Sequence, residues 1–206
     1  MPFSFRRTRI DTETPEVKGK TWAVLAFFFE LIQVAAVSLA IIIPVRYFLI
    51  QPFYVKGASM EPNFYDHEYL IIDELSYRFG PPQRGDVVVF RYPLDQKQFF
   101  IKRVIGLPGE TVEATADGVK IYNSEHPNGF MLDESYLADG MPPSPMQKTE
   151  TLKADEYFIM GDNRPSSLDS RYFGAIKRSD IVGRVWVRGW PFDRWKAFDR
   201  LTYSTQ

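Results

Sequence analysis

The 206-residue sequence has no cysteine and only two histidines. Without cysteine the chain forms no disulfide, and it has no thiol nucleophile and no thiolate for a metal. His67 and His126 are far apart and lie in no recognisable motif, so neither indicates a metal site or a histidine general base. The net charge of −1 gives no electrostatic basis for binding nucleic acid. We therefore expect no metal, no cofactor and no nucleic-acid partner.

Charge is also nearly absent from one long segment. Between Ala23 and Ile43 the only charged residue is Glu30, which lies near the start, where it can reach towards lipid headgroups. A run of this length crosses a hydrocarbon core of about 30 Å as a helix. A buried core helix is the alternative, and a cleaved signal peptide would have a shorter apolar region followed by small residues. The length favours a transmembrane helix over residues 22–50.

Cations flank this segment unequally. Lys and Arg are concentrated in cytoplasmic loops of membrane proteins. The nearest cations after the segment are Arg46 and Lys56, whereas five precede it: Arg6, Arg7, Arg9, Lys18 and Lys20. The asymmetry predicts a cytoplasmic tail at residues 1–21, a single pass through the cytoplasmic (inner) membrane, and residues 51–206 on the outer face.

The remainder of the chain has the pattern of a β protein. Turn signals rich in glycine and proline separate short runs of β-branched and aromatic residues. These runs occupy residues 69–72, 86–92, 98–105, 119–122, 156–160 and 181–187. Because no amphipathic helix pattern separates them, we expect a mainly β domain, an antiparallel sandwich or barrel. Residues 123–151 are polar and rich in proline and glycine, which predicts a long surface excursion.

Three of the four tryptophans lie between Trp186 and Phe198. Packing within the strands is the simpler interpretation. The other is an aromatic rim that rests on the membrane surface, where tryptophan is enriched. Both interpretations remain open at this point.

A lysine inside an apolar run and a serine in a turn form the most informative pair. A serine hydroxyl is a poor nucleophile until a base removes its proton, and a lysine is a base near neutral pH only if its pKa falls from ~10.4 to ~7–8. Burial causes such a fall, and Lys102 shares a strand face with Phe100 and Val104. Taken alone, Ser59 is an ordinary turn residue and Lys102 an ordinary edge-strand lysine.

The sequence around this pair resembles the bacterial type I signal peptidases in three blocks. These are membrane-bound Ser-Lys proteases that remove signal peptides from exported proteins. The blocks are residues 52–62, residues 84–110 and residues 161–171, and their order and spacing also match. The resemblance implies an endopeptidase that cleaves exported preproteins after small residues and contacts preprotein signal peptides and membrane lipid.

The same resemblance implies catalytic roles. Ser59 corresponds to the nucleophile, Lys102 to the general base, and Ser167 to a serine whose hydroxyl positions the lysine nitrogen. Gly57 stands where many members have a serine that helps to stabilise the oxyanion. We expect a backbone N–H, of Gly57 or a neighbour, to take that role, and a serine at position 57 to be tolerated.

Supporting and substrate-binding roles are implied as well. Asp169 with Arg171, and Asp162 with Arg103, correspond to buried ion pairs that brace the site. Shallow apolar pockets select small side chains at the first and third positions before the cleaved bond. The residues expected to line them are Phe53, Val55, Met60, Phe64, Phe100 and Ile101.

The substrate is expected to bind as an added strand between residues 53–57 and residues 99–102. The sequence departs from the family at Asn63-Phe64, where Thr-Leu is frequent, and we expect a change at the pocket floor. Two other functions stay open: a Ser-Lys peptidase with one dedicated substrate, such as a pilus component, and a non-catalytic anchored β-domain that binds peptides. The presence of both Ser59 and Lys102 disfavours the last.

Overall fold

The computed structural model describes residues 16–48 and 50–199. The chain divides into two compact units, residues 1–45 and residues 46–206. Helix α1, Glu16–Phe48, makes up the described part of the first unit, and its last three residues belong to the second. Within the helix, the 23 residues Trp22–Pro44 are long and apolar enough to cross a membrane, about 35 Å at 1.5 Å per residue.

None of the apolar stretch of α1 is buried, whereas the core helix of a soluble domain is mostly buried. The helix starts five residues before position 21, the predicted end of the tail, and directly after Pro15, a residue favoured at helix starts. It ends two residues before the predicted limit at 50. Residues 1–15, most of the predicted cytoplasmic tail, lie outside the described residues.

The second unit is built from antiparallel strands, as predicted. Its helices α2 and α3 are single turns at Ser76–Phe79 and Ser170–Phe173, and three 3-10 turns lie at Arg164–Ser166, Arg178–Asp180 and Phe192–Arg194. Its strands are β1 Ile50–Tyr54, β2 Tyr69–Asp73, β3 Val87–Tyr92, β4 Asp95–Gly106, β5 Thr111–Thr115, β6 Gly118–Tyr122, β7 Phe130–Met131, β8 Lys148–Thr151, β9 Glu156–Met160, β10 Ile176–Lys177, β11 Ile181–Trp190 and β12 Lys196–Ala197.

The strands form two sheets. The larger has the order β1-β2-β11-β3-β4-β9-β10, with β12 paired to β11, and the smaller has the order β7-β6-β5-β8. In the larger sheet β4 pairs with β3 from Phe99 to Arg103 and with β9 only from Arg103 onward. The segment of β4 before Arg103 therefore has one edge that β9 does not cover.

Period-two alternation explains how β3 is buried on both faces. Val88 and Phe90 pack in one apolar cluster with Val104, whereas Val89 packs in another with Met60. Adjacent strand residues point to opposite faces, so the uninterrupted run Val87-Val88-Val89-Phe90 supplies both clusters. A third cluster, around Ile105 and Phe158, joins the large sheet to β5 and β6.

The six predicted strand runs are confirmed as β2, β3, β4, β6, β9 and β11. The sequence missed β1, which contains a proline, β5, the short polar β8 and the two-residue strands β7, β10 and β12. β8 reads Lys-Thr-Glu-Thr and is an edge strand, so apolar alternation is not required of it. The predicted excursion at 123–151 is not only a surface loop, because it carries β7 and β8 and buries Leu132 in the core.

The tryptophans near the C-terminal end do not pack inside the strands. Trp186 is 43% exposed, Trp190 49% and Trp195 61%. The packing interpretation is therefore wrong for these three rings.

Candidate active site

Ser59 lies on the turn that follows β1, and contacts on both sides hold this turn. Before it, Val55 N–H donates to Glu68 O at 2.9 Å; after it, Phe64 N–H donates to Met60 O at 2.9 Å. Asn163 clamps its centre, with its N–H donating to Ser59 O and its Nδ2 to Ala58 O, both at 3.0 Å. The serine is thereby fixed by a residue more than 100 positions away, which the sequence analysis did not identify.

Lys102 reaches this serine from β4. Its Nζ lies 2.7 Å from Ser59 Oγ and 2.8 Å from Ile101 O, to which it donates. The side chain is buried, and the Phe100 ring centroid lies 5.5 Å from Nζ. Burial lowers the pKa of Lys102 to about 8, and the carboxylates of Asp169 and Asp162 oppose that fall. The amine is therefore partly neutral near neutral pH and within reach of a serine hydroxyl.

Gly57 does not offer its N–H to the cleft. That N–H donates to Asp66 Oδ1 at 3.0 Å, so the expectation that Gly57 itself supplies the oxyanion donor is wrong. Within the described chain, the N–H groups of Ala58 and Ser59 donate to no other residue. Gly57 also has φ +90°, a conformation that strains any residue with a Cβ, so the tolerance expected for serine at this position is not supported.

The third sequence block packs directly under the nucleophile turn at Gly161. A Cβ at this position would collide with Ser59 O and with Ser167 Oγ. Only glycine therefore lets the block approach this closely. Ser167 is buried, and its hydroxyl oxygen has no hydrogen-bond partner among the residues that the structure describes. Lys102 Nζ donates to Ser59 and Ile101 rather than to Ser167.

Both predicted ion pairs are present in the structure, and both are buried. Arg103 Nε and Nη2 donate to the two oxygens of Asp162 at 2.8 and 2.6 Å. Arg171 Nε and Nη2 donate to the two oxygens of Asp169, both at 2.8 Å, and Gly161 N–H also donates to Asp169 Oδ2 at 2.9 Å. Two-point pairing of this kind fixes direction as well as distance.

Asn63, the departure from the family pattern, belongs to this ion-pair layer and does not line the cleft that contains Ser59 and Lys102. Its Nδ2 donates to Asp162 Oδ2 at 2.9 Å and to Tyr136 O at 2.8 Å. The excursion is held further by the buried Arg164, which donates to Tyr136 Oη at 3.0 Å and pairs with Glu134. The excursion is therefore bonded to the block that supports the nucleophile, a connection that its composition does not signal.

A cleft of about 310 Å³ opens over the serine and the lysine. Four of the six predicted apolar residues line it: Phe53, Val55, Phe100 and Ile101. Further lining residues are Tyr54, Leu70, Val89, Phe99, Ser166 and Leu168. The other two predictions are wrong for this cleft. Met60 and Phe64 are each 1% exposed and pack in the core cluster, with the Phe64 ring against Phe198. They point the other way because the turn after Ser59 is anchored by burying them.

Comparison with known proteins identifies the family. The family model for signal peptidase, peptidase S26, matches residues 28–190. The chain belongs to the signal peptidase family. The resemblance drawn from the three sequence blocks is confirmed, and the chain is related to peptidases.

Two similar signal peptidases come from Leptolyngbya laminosa and Synechocystis sp.. Signal peptidase I of Leptolyngbya laminosa is 38% identical over 172 residues, covering 80% of this chain and 81% of that protein. Probable signal peptidase I-2 of Synechocystis sp. is 41% identical over 167 residues, covering 78% and 72%. The crystal structure of a signal peptidase I from Enterococcus faecalis V583 is 37% identical, with a TM-score of 0.43, and covers 51% of this chain and 97% of its own.

Proposed function

We propose that this protein is a membrane-anchored endopeptidase that removes signal peptides from exported preproteins by a Ser59-Lys102 mechanism. The observation that carries the proposal is the 2.7 Å contact between Lys102 Nζ and Ser59 Oγ at the base of an apolar cleft. The lowered pKa of Lys102 makes that contact chemically useful, because only a neutral amine accepts a proton.

The first half of the reaction uses Lys102 as a base. The neutral Nζ accepts the proton of Ser59 Oγ as the oxygen attacks the scissile carbonyl carbon. The Ser59 N–H, and that of Ala58 beside it, are the backbone donors left for the developing oxyanion, since Gly57 N–H is bonded to Asp66. Losing one such donor typically costs ~10²–10³ in rate.

In the second half Lys102 acts as an acid and then again as a base. The ammonium gives its proton to the leaving amine, the C–N bond breaks, and the signal peptide stays esterified to Ser59. Water then attacks the ester with its proton passing to Nζ, and Ser59 Oγ is reprotonated as the acid product leaves. Asp169 and Asp162 favour the ammonium, so they stabilise Lys102 each time it holds the transferred proton.

The buried Ser167 is proposed to position the lysine. Its hydroxyl has no other partner among the described residues, and it abuts Gly161, directly beneath the serine turn. A small change of the lysine side chain during proton transfer would let Nζ bond to it. Such a bond would orient the amine lone pair towards Ser59.

Strand addition is the proposed mode of substrate binding. Val104 N–H donates to Asp86 O on the β3 side, so by alternation the backbone groups of Ile101 and Phe99 point to the opposite edge. β9 pairs with β4 only from Arg103 onward, which leaves this edge uncovered at the cleft. An extended peptide there would place alternate side chains in the apolar pockets and put its carbonyl at Ser59.

The membrane anchor is proposed to be Trp22–Pro44 of α1, with residues 1–21 in the cytoplasm and the β-unit on the outer face. The length and composition of the helix support the span, and the cation asymmetry of the sequence supports the orientation. The exposed Trp190 and Trp195 are proposed to contact membrane lipid, since tryptophan rings favour the headgroup region.

The decisive experiment incubates the purified full-length protein in neutral detergent with a panel of unrelated preproteins and sequences the new N-termini. Cleavage after small residues in several preproteins, lost in Ser59→Ala, is expected. Cleavage of only one substrate would support a dedicated peptidase, and no cleavage would support a peptide-binding domain.

A further inference from the structure

The charges at the cleft are unbalanced. Among residues 50–199, the side chains that line it include two lysines, Lys56 and Lys102, and neither an aspartate nor a glutamate. Lys102 is buried and bonded to Ser59, whereas Lys56 is exposed. The mechanism makes no use of Lys56.

Lys56 forms no ion pair with another described residue. The carboxylate of Asp66 is held against the neighbouring Gly57, but its oxygens are engaged elsewhere. Oδ1 accepts the N–H groups of Gly57 and His67, both at 3.0 Å, and Oδ2 lies 3.3 Å from His67 Nε2. The Lys56 ammonium is therefore available to a ligand in the cleft.

Lys56 lies at the rim of the cleft. It follows β1 by two residues, lines the cleft and is exposed, whereas the preceding Val55 is buried in the core. Ser59 is three residues further along the chain, beyond the turn at Gly57, and lines the same cleft. A peptide added beside residues 53–57 would therefore bring to Lys56 the residues a few positions before its scissile bond.

We propose that Lys56 is a specificity-determining residue that favours preproteins with an acidic side chain at the second or fourth position before the scissile bond. The inference rests on the proposed function and on strand addition. Side chains at the first and third positions point into the apolar pockets, so those at the second and fourth point to the rim, where Lys56 lies. A carboxylate there gains a partner, and a lysine there meets a like charge.

The test uses four peptides that share one cleavable sequence. The reference peptide has Gln at the second and fourth positions, and the other three carry Glu at the second position, Glu at the fourth or Lys at the fourth. Values of kcat/KM are measured with the full-length protein in neutral detergent at low and high salt. Wild type is expected to prefer one Glu peptide over Gln by about threefold, as for an exposed ion pair, and to lose that preference in 1 M salt.

Charge reversal provides the sharper comparison. Lys56→Glu should prefer the Lys peptide over the Glu peptides, and Lys56→Gln should not discriminate. Lys97→Glu is the matched control, since Lys97 is an exposed lysine on β4 that does not line the cleft; it should keep the wild-type preference. An unchanged Glu-to-Gln ratio in Lys56→Glu, or the same change in Lys97→Glu, would overturn the proposal.

A binding measurement separates this proposal from the proposed function. Ser59→Ala, with and without Lys56→Glu, is titrated with fluorescent forms of the four peptides. If wild type cleaves none of the peptides, the proposed function fails, and the binding ratios still decide the role of Lys56. Equal affinities for Glu and Lys peptides in both proteins would refute it independently of cleavage.

Discussion

Lys102 and Arg103 are consecutive residues of β4, yet they occupy opposite electrostatic environments. On one side is the cleft, where Lys102 is 4% exposed and has neutral partners. On the other is the ion-pair layer, where Arg103 is 5% exposed and makes a two-point contact with Asp162. A buried guanidinium cannot lose its proton and needs an anion, whereas a buried ammonium can become neutral. Two consecutive residues of one strand thus carry an amine that can become neutral and a guanidinium that stays charged.

The largest effect is expected when the titratable cation is replaced by a permanent one. Lys102→Arg should lower kcat by about 10²–10⁴ or more, because arginine cannot accept the serine proton. The measurement is steady-state cleavage of one preprotein, with Lys97→Arg as the matched control. Activity of Lys102→Arg within tenfold of wild type would remove Lys102 from the role of base.

Breaking the ion-pair layer should chiefly affect stability. Arg103→Met leaves the carboxylate of Asp162 buried with Asn63 as its remaining side-chain donor, and should lower the free energy of unfolding by about 3–5 kcal/mol. Urea titration in detergent measures it. The double variant Arg103→Met/Asp162→Leu should recover much of the loss; a single-variant loss below about 1 kcal/mol would mean that the pair is not effectively buried.

Replacing the neighbouring Lys102 should change the free energy of unfolding in the opposite direction. The pKa of Lys102 falls from 10.5 to about 8 on folding, so Lys102→Met should raise the free energy of unfolding at pH 7, by up to about 3 kcal/mol. The unfolded chain binds more protons between those two values, so wild type regains stability from pH 8 upward. The advantage of the variant should therefore be full below pH 8 and shrink above it. A constant advantage across that range would show that packing, not charge, is responsible.

The nucleophile turn adds a smaller effect on the cleft side. Gly57 has φ +90°, so Gly57→Ser should lower the free energy of unfolding, by about 1–2 kcal/mol. It should also reduce kcat, because the turn that carries Ser59 shifts. Gly80→Ser is the control, since that residue is extended with φ −158° and open space around it. Equal stability of the two variants would contradict the expectation.

The smallest effect concerns the coupling between the two sides. The dependence of kcat/KM on pH should rise to a plateau with its midpoint near pH 8, the pKa of Lys102. Of the two carboxylates that favour the ammonium, Asp169 has the larger effect. Asp169→Asn removes it, so the midpoint should move to lower pH. Asp117→Asn, at the exposed β5–β6 turn, should leave it unchanged. An unmoved midpoint in Asp169→Asn would show that the layer does not tune the lysine.

Local sequence pattern alone predicts several parts of this protein. A run with a single charge, long enough for a membrane, predicts a spanning helix, and period-two alternation predicts β2, β3 and β4. The motifs around Ser59 and Lys102, which resemble those of signal peptidases, also predicted that these two residues lie close together, as a Ser-Lys reaction requires.

Which groups meet in space depends on the fold. Asp66 accepts the N–H of Gly57, Asn163 holds the serine turn, and Asn63 joins the excursion to Asp162. Most of these contacts join distant parts of the chain. Polar residues in loops carry no periodic signal, since their partners are fixed by the fold and not by their neighbours in sequence. The burial that lowers the pKa of Lys102 also depends on the fold. The same strand pattern is compatible with a buried or an exposed lysine, and the packing around the cleft buries this one.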